Sequence, residues 1–129
     1  MKKISAIAIF GFIGGGSREW LSLLISWPQH FWLTVIINVT GAFLLSLVTQ
    51  LLPTWLPLSE AVITGLSVGL IGSFTTFSTF TFETLQLLQQ HQLGLVGAYV
   101  GTSLGLGLIA GLAGNLLSHY WLTKGATPC

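Results

Sequence analysis

The stretch Gly69–Thr84, GLIGSFTTFSTFTFET, sets serine and threonine hydroxyls between Phe74, Phe77, Phe80 and Phe82 and closes around Glu83, in a chain that is otherwise apolar. It lies within a longer segment, Leu58–Leu88, of 31 residues. As one straight α-helix that segment would measure ~46 Å at ~1.5 Å per residue, against ~30 Å for the hydrocarbon core of a bilayer. It therefore tilts strongly, lies partly outside, or is interrupted. The composition favours interruption, because Gly65, Gly69 and Gly72 precede a run, SFTTFSTFT, of modest helix propensity. Non-helical backbone at membrane depth persists only where protein or water covers it, and the carbonyls and N–H groups that it frees can hold ions. A helix break over Gly72–Ser78 is thus expected to be a functional site.

The membrane itself is implied by composition. Of 129 residues 52% are hydrophobic and 5% charged, with a mean hydropathy of +0.84. Soluble domains carry ~25% charged residues, and this chain has too few to cover a water-facing surface. A net charge of +1 leaves no nucleic-acid footprint. The one cysteine, Cys129, forms no internal disulfide. The start, MKKISAIAIFGFIGGG, resembles a secretory signal, but the apolar run continues past Arg18 toward Ile25 without a small-residue cleavage site, so it is read as a retained span.

The expected fold is all-α: a single transmembrane domain over residues 1–129 with four spans, near Ile4–Ile25, Phe31–Leu52, Leu58–Leu88 (broken near 72–78) and Gly94–Leu117. Polar or proline-rich breaks at Ser26–His30, Pro53–Pro57 and Gln89–Gln92 separate them. Trp20, Trp27, Trp32, Trp55 and Trp121 fall near span edges, where amphipathic rings anchor helices. Lys2, Lys3 and Lys124 share one side and Arg18 lies on the other, a bias that only slightly favours inward-facing termini. Gly97, Gly101 and Gly105, then Gly107 and Gly111, repeat every fourth residue of the fourth span; with Gly11, Gly14, Gly15 and Gly41 they read as faces for close helix packing. A bundle this small encloses no wide pore alone, and a site shared across an oligomer interface fits it better.

Several side chains stand out at membrane depth. Asn38 is central in the second span, with Thr34 and Gly41 on its face; it is either interhelical glue, worth ~1 kcal/mol, or part of a site. Phe77 and Phe80 share a helix face, with Phe74 at the same interval before them. Such a stripe is ordinarily packing, yet a phenyl ring also has a positive edge that can face a small anion. Arg18 and Glu83 are ionisable groups in or near the membrane, which favours function, although Arg18 is also placed to snorkel. Tyr99 and Ser103 put two hydroxyls on one face of the fourth span, as pathway lining or as packing. His30, His91 and His119 have no ligand spacing.

The run GSFTTFSTFTFET resembles the third-span signature of the Fluc/CrcB family of fluoride channels, G-G-x-T-T-F-S-T-F-x-x-E. GGGSR ending at Arg18, NVTGA from Asn38 and AYVGTS from Ala98 agree with that family in order and spacing, over essentially the whole chain. The chain departs from the pattern at Ser73 (usually Gly), Gly15 (often Ala), Glu19 (commonly aromatic) and Gly107 (sometimes a hydroxyl residue).

The resemblance implies a dual-topology antiparallel homodimer in the lipid bilayer, multi-pass in a bacterial plasma (inner) membrane. It implies a structural Na⁺ at the dimer centre on the backbone carbonyls of Gly72 and Thr75. It implies two fluoride pathways in which Phe77 and Phe80 present ring edges and Asn38 donates a hydrogen bond, with Ser78, Thr79, Glu83, Tyr99 and Ser103 nearby or lining. Arg18 resembles the family's first-span arginine. The implied function is passive export of cytoplasmic fluoride, relieving its toxicity. Two competitors are a four-helix proton-coupled cation or multidrug exporter, which needs a carboxylate central in the first span where only Glu19 near its end is present, and a non-transporting membrane scaffold. An enzyme is not expected, for the chain shows neither a nucleophile–base pair nor metal-ligand spacing.

Overall fold

The computed structural model describes residues 2–25 and 31–125 and is helical throughout, with short connections. The expected break at Ser26–His30, Trp27 within it, and Cys129 lie outside the described residues. Helix α1 spans Lys2–Leu24 and α2 spans Phe31–Gln50. A single turn, α3 (Leu52–Trp55), carries Pro53 in its first turn, where a missing N–H costs no helical bond, and an extended Leu56 ends it. The third rod starts after an extended Ser59 with α4 (Glu60–Thr64), widens into a π-helix over Gly65–Ile71, and ends in the short α5 (Gly72–Phe74). Its other half, α6 (Ser78–Gln89), begins beyond a three-residue gap of non-helical chain. The last helix, α7, runs Leu93–Gly125, past the span end expected at Leu117.

Between α6 and α7 the chain turns on His91, whose φ of 56° is left-handed. His91 N–H donates to the Leu88 carbonyl and Gln92 N–H to that of Leu87, a paired closure of the helix end that usually employs glycine at the left-handed position.

Helix α1 lies along the α4–π–α5 rod, and α2 lies along α7; α2 also touches the π-helix, α5 and α6, so it bridges the two pairs. Glycine makes the first pairing possible. A Cβ at Gly14 would run into the carbonyl of Leu70, so α1 and the π-helix meet backbone to backbone there. On α7 the packing differs from the sequence reading. Among the described residues, nothing lies within 4 Å of a Cβ added at Gly97, Gly101, Gly105 or Gly107, whereas Gly111 meets α2 through Ser46, whose hydroxyl donates to its carbonyl at 3.0 Å. The glycine that seats α7 on α2 is Gly114, one turn further on, against the Phe43 carbonyl and Ser46 Cβ.

Three helical stretches, Phe31–Trp55, Glu60–Gln89 and Leu93–Lys124, are long and apolar enough to cross a membrane. Helix α1, 23 residues long, carries Arg18 and Glu19 in its last third and is not among them. Large apolar side chains point outward along every long helix, among them Phe12, Ile36, Val68, Leu104, Leu108, Leu112 and Leu116. Such a surface belongs in lipid or against a partner. The chain is a multi-pass membrane protein.

The buried contact at Gly14 supplies a test. Gly14→Ala is expected to lower the melting temperature in detergent, by the equivalent of about 1–3 kcal/mol, because backbone rather than a mobile side chain blocks the methyl. Gly16→Ala, which meets nothing within 4 Å, is expected to leave it unchanged or raise it slightly through better helix propensity. Equal losses would refute the close approach.

Candidate functional site

The interruption falls at Thr75–Phe77, within the expected window. Thr75 leaves the helix with an extended backbone, φ −72° and ψ 156°, and this takes the N–H groups that follow it out of the helical ladder; two of them find side-chain partners. Thr76 N–H, which would have bonded the Gly72 carbonyl, donates instead to Asn38 Oδ1 at 2.8 Å. Thr79 N–H, which would have bonded the Thr75 carbonyl, donates instead to Thr76 Oγ1 at 3.2 Å, an N-terminal cap for α6. The carbonyls of Gly72 and Thr75 are therefore released by identifiable competitors. Gly72 retains the hydroxyl of Thr75 as a long contact at 3.4 Å.

Asn38 closes the gap from both sides. Its Nδ2 donates to the Thr76 carbonyl at 2.9 Å while its Oδ1 accepts from the same residue's N–H, so one amide side chain replaces a strand-like partner for an isolated peptide. This is the glue role for Asn38, and one N–H of its amide remains beyond it. Its expected companions divide. Gly41, one turn later, is covered so closely by Thr75 Cγ2 that a Cβ there would overlap it, whereas Thr34, one turn earlier, faces the opposite side of the break.

Two cavities meet at Thr76. The larger, about 390 Å³, is a groove whose walls include Asn38, Gly72, Thr75, Phe77, Phe80 and Ser103. The smaller, about 230 Å³, is lined by Arg18, Glu19, Ser22, Thr34, Thr79 and Glu83 among others, and Thr76 lies on both. Buried Thr76 also links hydroxyls along the wall: its Oγ1 donates to Thr79 Oγ1 at 3.0 Å and lies 3.3 Å from Ser78 Oγ.

Phe77 sits 77% exposed at the head of α6, with its ring centroid 6.0 Å from that of Phe80. Phe80 is held from behind by Tyr99, ring to ring at 5.1 Å, and Tyr99 in turn takes the edge-on ring of Phe31 at 5.6 Å. Phe74 does not extend this stripe, because the extended Thr75 separates it from Phe77 and destroys the helical interval between them. Fully buried Tyr99 donates its hydroxyl to Glu83 Oε2 at 2.6 Å, which fixes the carboxylate at the smaller cavity. Ser103 Oγ is buried on the groove wall and has no hydrogen-bond partner among the described residues, an orphaned donor of the kind that awaits a ligand or water.

The structure thus gathers Asn38, Gly72, Thr75, Phe77, Phe80 and Ser103 at one cavity and Arg18, Thr79 and Glu83 at the other, with Tyr99 as a brace. Ser78 lines neither and touches the site through Thr76. Sequence reasoning missed Thr76, Ser67 and Ser22. Ser22 is four residues after Arg18 on the same helix face and was legible by that spacing. Ser67 reaches the groove through the π-helix, in which Gly72 N–H bonds back to the Ser67 carbonyl, a five-residue interval that sequence does not announce. No cluster of three or more His, Cys, Asp or Glu side chains suited to a metal occurs among the described residues.

A family model described as CrcB-like protein, Camphor Resistance (CrcB), matches residues 5–115. The chain belongs to the CrcB family. Its curated CrcB relatives include a protein of Lactiplantibacillus plantarum named Fluoride-specific ion channel FluC 2, 64% identical over 96% of this chain and 98% of that protein. Fluoride-specific ion channel FluC 1 of Bacillus cereus is 41% identical over 94% of this chain and 90% of its own length. Its namesake in Latilactobacillus sakei is 32% identical over 96% and 90%. This CrcB chain's own departures fall around the break rather than in it. Ser73 Oγ lies against Gly11, where an added Cβ would come within 3.2 Å of it, Gly107 is open, and Glu19 lines the smaller cavity.

The double contact of Asn38 predicts a large effect. Asn38→Leu leaves a buried N–H and C=O unpaired, each costing about 1–3 kcal/mol, and is expected to unfold the break. Amide exchange at Thr76 would accelerate by at least tenfold. Tyr99→Phe keeps the ring stack and loses the hydroxyl that bonds Glu83 and also interacts with Thr34, for a smaller cost of about 1.5–3 kcal/mol in thermal stability. Unchanged Thr76 protection in Asn38→Leu would show that the amide does not hold the gap.

Proposed function

We propose that this chain is a fluoride channel that lets fluoride leave the cytoplasm of a bacterium passively, across the inner membrane, as a dual-topology antiparallel homodimer. The carrying observation is the break itself. It puts two phenyl rings, an amide with a spare N–H and an orphaned hydroxyl on one groove within apolar surroundings. The names of the curated relatives, fluoride-specific ion channels, support the same ion.

Fluoride is compact and strongly hydrated, so a path must replace its water. Hydroxyl and amide donors do this without adding full charge, and ring edges of Phe77 and Phe80 supply further positive potential. A neutral lining keeps the ion from being trapped, since conduction requires both entry and exit. On this reading fluoride passes from the groove beside Asn38 and Ser103 to the smaller cavity at Thr79 and Glu83, skirting the Thr76 hydroxyl common to both. Hydrogen fluoride enters cells by diffusion and dissociates inside, so a passive anion path suffices for export.

Helix α1 serves as the fourth span, ~34 Å long at ~1.5 Å per residue. A second copy covers the open groove and the outward glycine face of α7, whose Gly97–Gly107 positions leave room for close approach. Opposite insertion of two copies is consistent with the small Lys and Arg asymmetry. Gly72, exposed at the groove, and Thr75 would give the copies' released carbonyl oxygens to a Na⁺ between them. Neutral oxygen donors suit a hard cation, and bound there it would tie the two breaks together.

Proteoliposomes loaded with potassium fluoride and opened with a potassium ionophore are expected to release fluoride far faster than chloride. Absence of fluoride efflux would overturn the proposal. Phe77→Ile and Phe80→Ile are each expected to cut the flux about tenfold, equivalent to ~1.4 kcal/mol at the limiting barrier, without loss of the dimer on size exclusion. Full flux in both variants would remove the ring edges from the mechanism.

A further inference from the structure

The smaller cavity has an unexpected charge balance for an anion path. Its walls carry one guanidinium, Arg18, and two carboxylates, Glu19 and Glu83. The three are held differently. Arg18 is half-buried, with its backbone carbonyl accepting from Ser22 Oγ at 3.1 Å. Glu83 is half-buried and tied to the Tyr99 hydroxyl, so part of its charge is spent on an internal donor. Glu19 is exposed, and among the described residues its carboxylate has neither a hydrogen bond nor an ion pair; the ion pair that the structure does show, Lys3 with Glu60 at 2.6 Å, lies at the other end of α1. Its charge is thus exposed and unpaired on a cavity that Arg18 also lines.

From this arrangement we infer that Glu19 is an electrostatic brake on fluoride entry, setting the rate at which the Arg18 cavity fills. The inference rests on the fluoride-channel reading above. A cavity with low-dielectric walls focuses the field of the charges that line it, and the local concentration of a permeating ion follows that field. Arg18 alone would draw fluoride to the cavity. The adjacent carboxylate cancels that attraction at the outer lip, where an arriving anion first meets the protein. Glu83 is less suited to this, because it is half-buried and one of its oxygens already accepts from Tyr99. The brake acts on capture from solution, so it weakens as salt screens the lip; the Debye length falls from ~30 Å at ~0.01 M to ~10 Å at ~0.1 M ionic strength.

The test is fluoride efflux from proteoliposomes of neutral lipid, at about 0.01 M and about 0.3 M ionic strength set with an impermeant-anion salt, for the unaltered chain, Glu19→Gln and Glu19→Lys. At low ionic strength the flux is expected to rise roughly threefold to tenfold in Glu19→Gln and further in Glu19→Lys, and at high ionic strength the three converge. The ordering in two variants separates charge from damage, since misfolding would lower flux in both. Equal or lower flux in both variants at low ionic strength overturns the brake while leaving the channel reading intact. A gain that persists undiminished at high ionic strength also overturns it. An unaltered chain that passes no fluoride in either salt refutes the channel reading, and the brake with it.

Discussion

A helix interrupted in apolar surroundings exposes peptide groups that cost several kcal/mol apiece if nothing pairs with them. In this protein the N–H and the carbonyl of Thr76, at the centre of the break, are both paired by one side chain. Asn38 both donates to and accepts from Thr76, so the break is held open by the neighbouring helix rather than by the segment that breaks. The consequences radiate from that pairing. Because Thr76 N–H turns to Asn38, the Gly72 carbonyl is released; because Thr79 N–H turns to Thr76 Oγ1, the Thr75 carbonyl is released and α6 gains its cap. Because α6 starts where it does, Phe77 and Phe80 point into the groove.

Asn38 can serve this purpose only if α2 and the third rod keep a fixed spacing, and the packing around glycines sets it. Thr75 closes over Gly41, directly beside Asn38 on α2, while the backbone contact of Gly14 with Leu70 seats the π-helix against α1. The π-helix supplies the remaining adjustment. Its extra residue per turn shifts Ser67 onto the groove just before the break, so a local irregularity in hydrogen bonding becomes a change in which side chains face the site. Behind the groove, Tyr99 joins Phe80 to Glu83, and thereby couples the ring pair of the larger cavity to the carboxylate of the smaller.

The two competing functions fare differently against this geometry. A proton-coupled exporter needs a carboxylate central in the first span, and Glu19 stands near the end of α1 and exposed. A scaffold has no use for an orphaned Ser103 hydroxyl beside exposed aromatic rings.

Much of this was legible from sequence because the membrane imposes simple limits. Thirty-one residues between Leu58 and Leu88 exceed a single crossing, and the glycine and hydroxyl run marked where the excess would be spent. Composition alone was enough for an all-helical membrane chain, since oil leaves backbone groups few other ways to pair. What sequence could not reveal was partnership between distant segments. Periodicity placed Phe74 with Phe77 and Phe80, but periodicity assumes a continuous helix, and Thr75 ends it. Spacing marked the α7 glycines as packing faces, yet within one chain α2 meets only the end of that series, at Gly111 and at Gly114 beyond it, because the close approach depends on where two helix axes cross. Asn38 was equally readable as glue or as site. The choice between those roles lay 38 residues away, in a Thr76 peptide that only the folded chain brings within hydrogen-bonding distance.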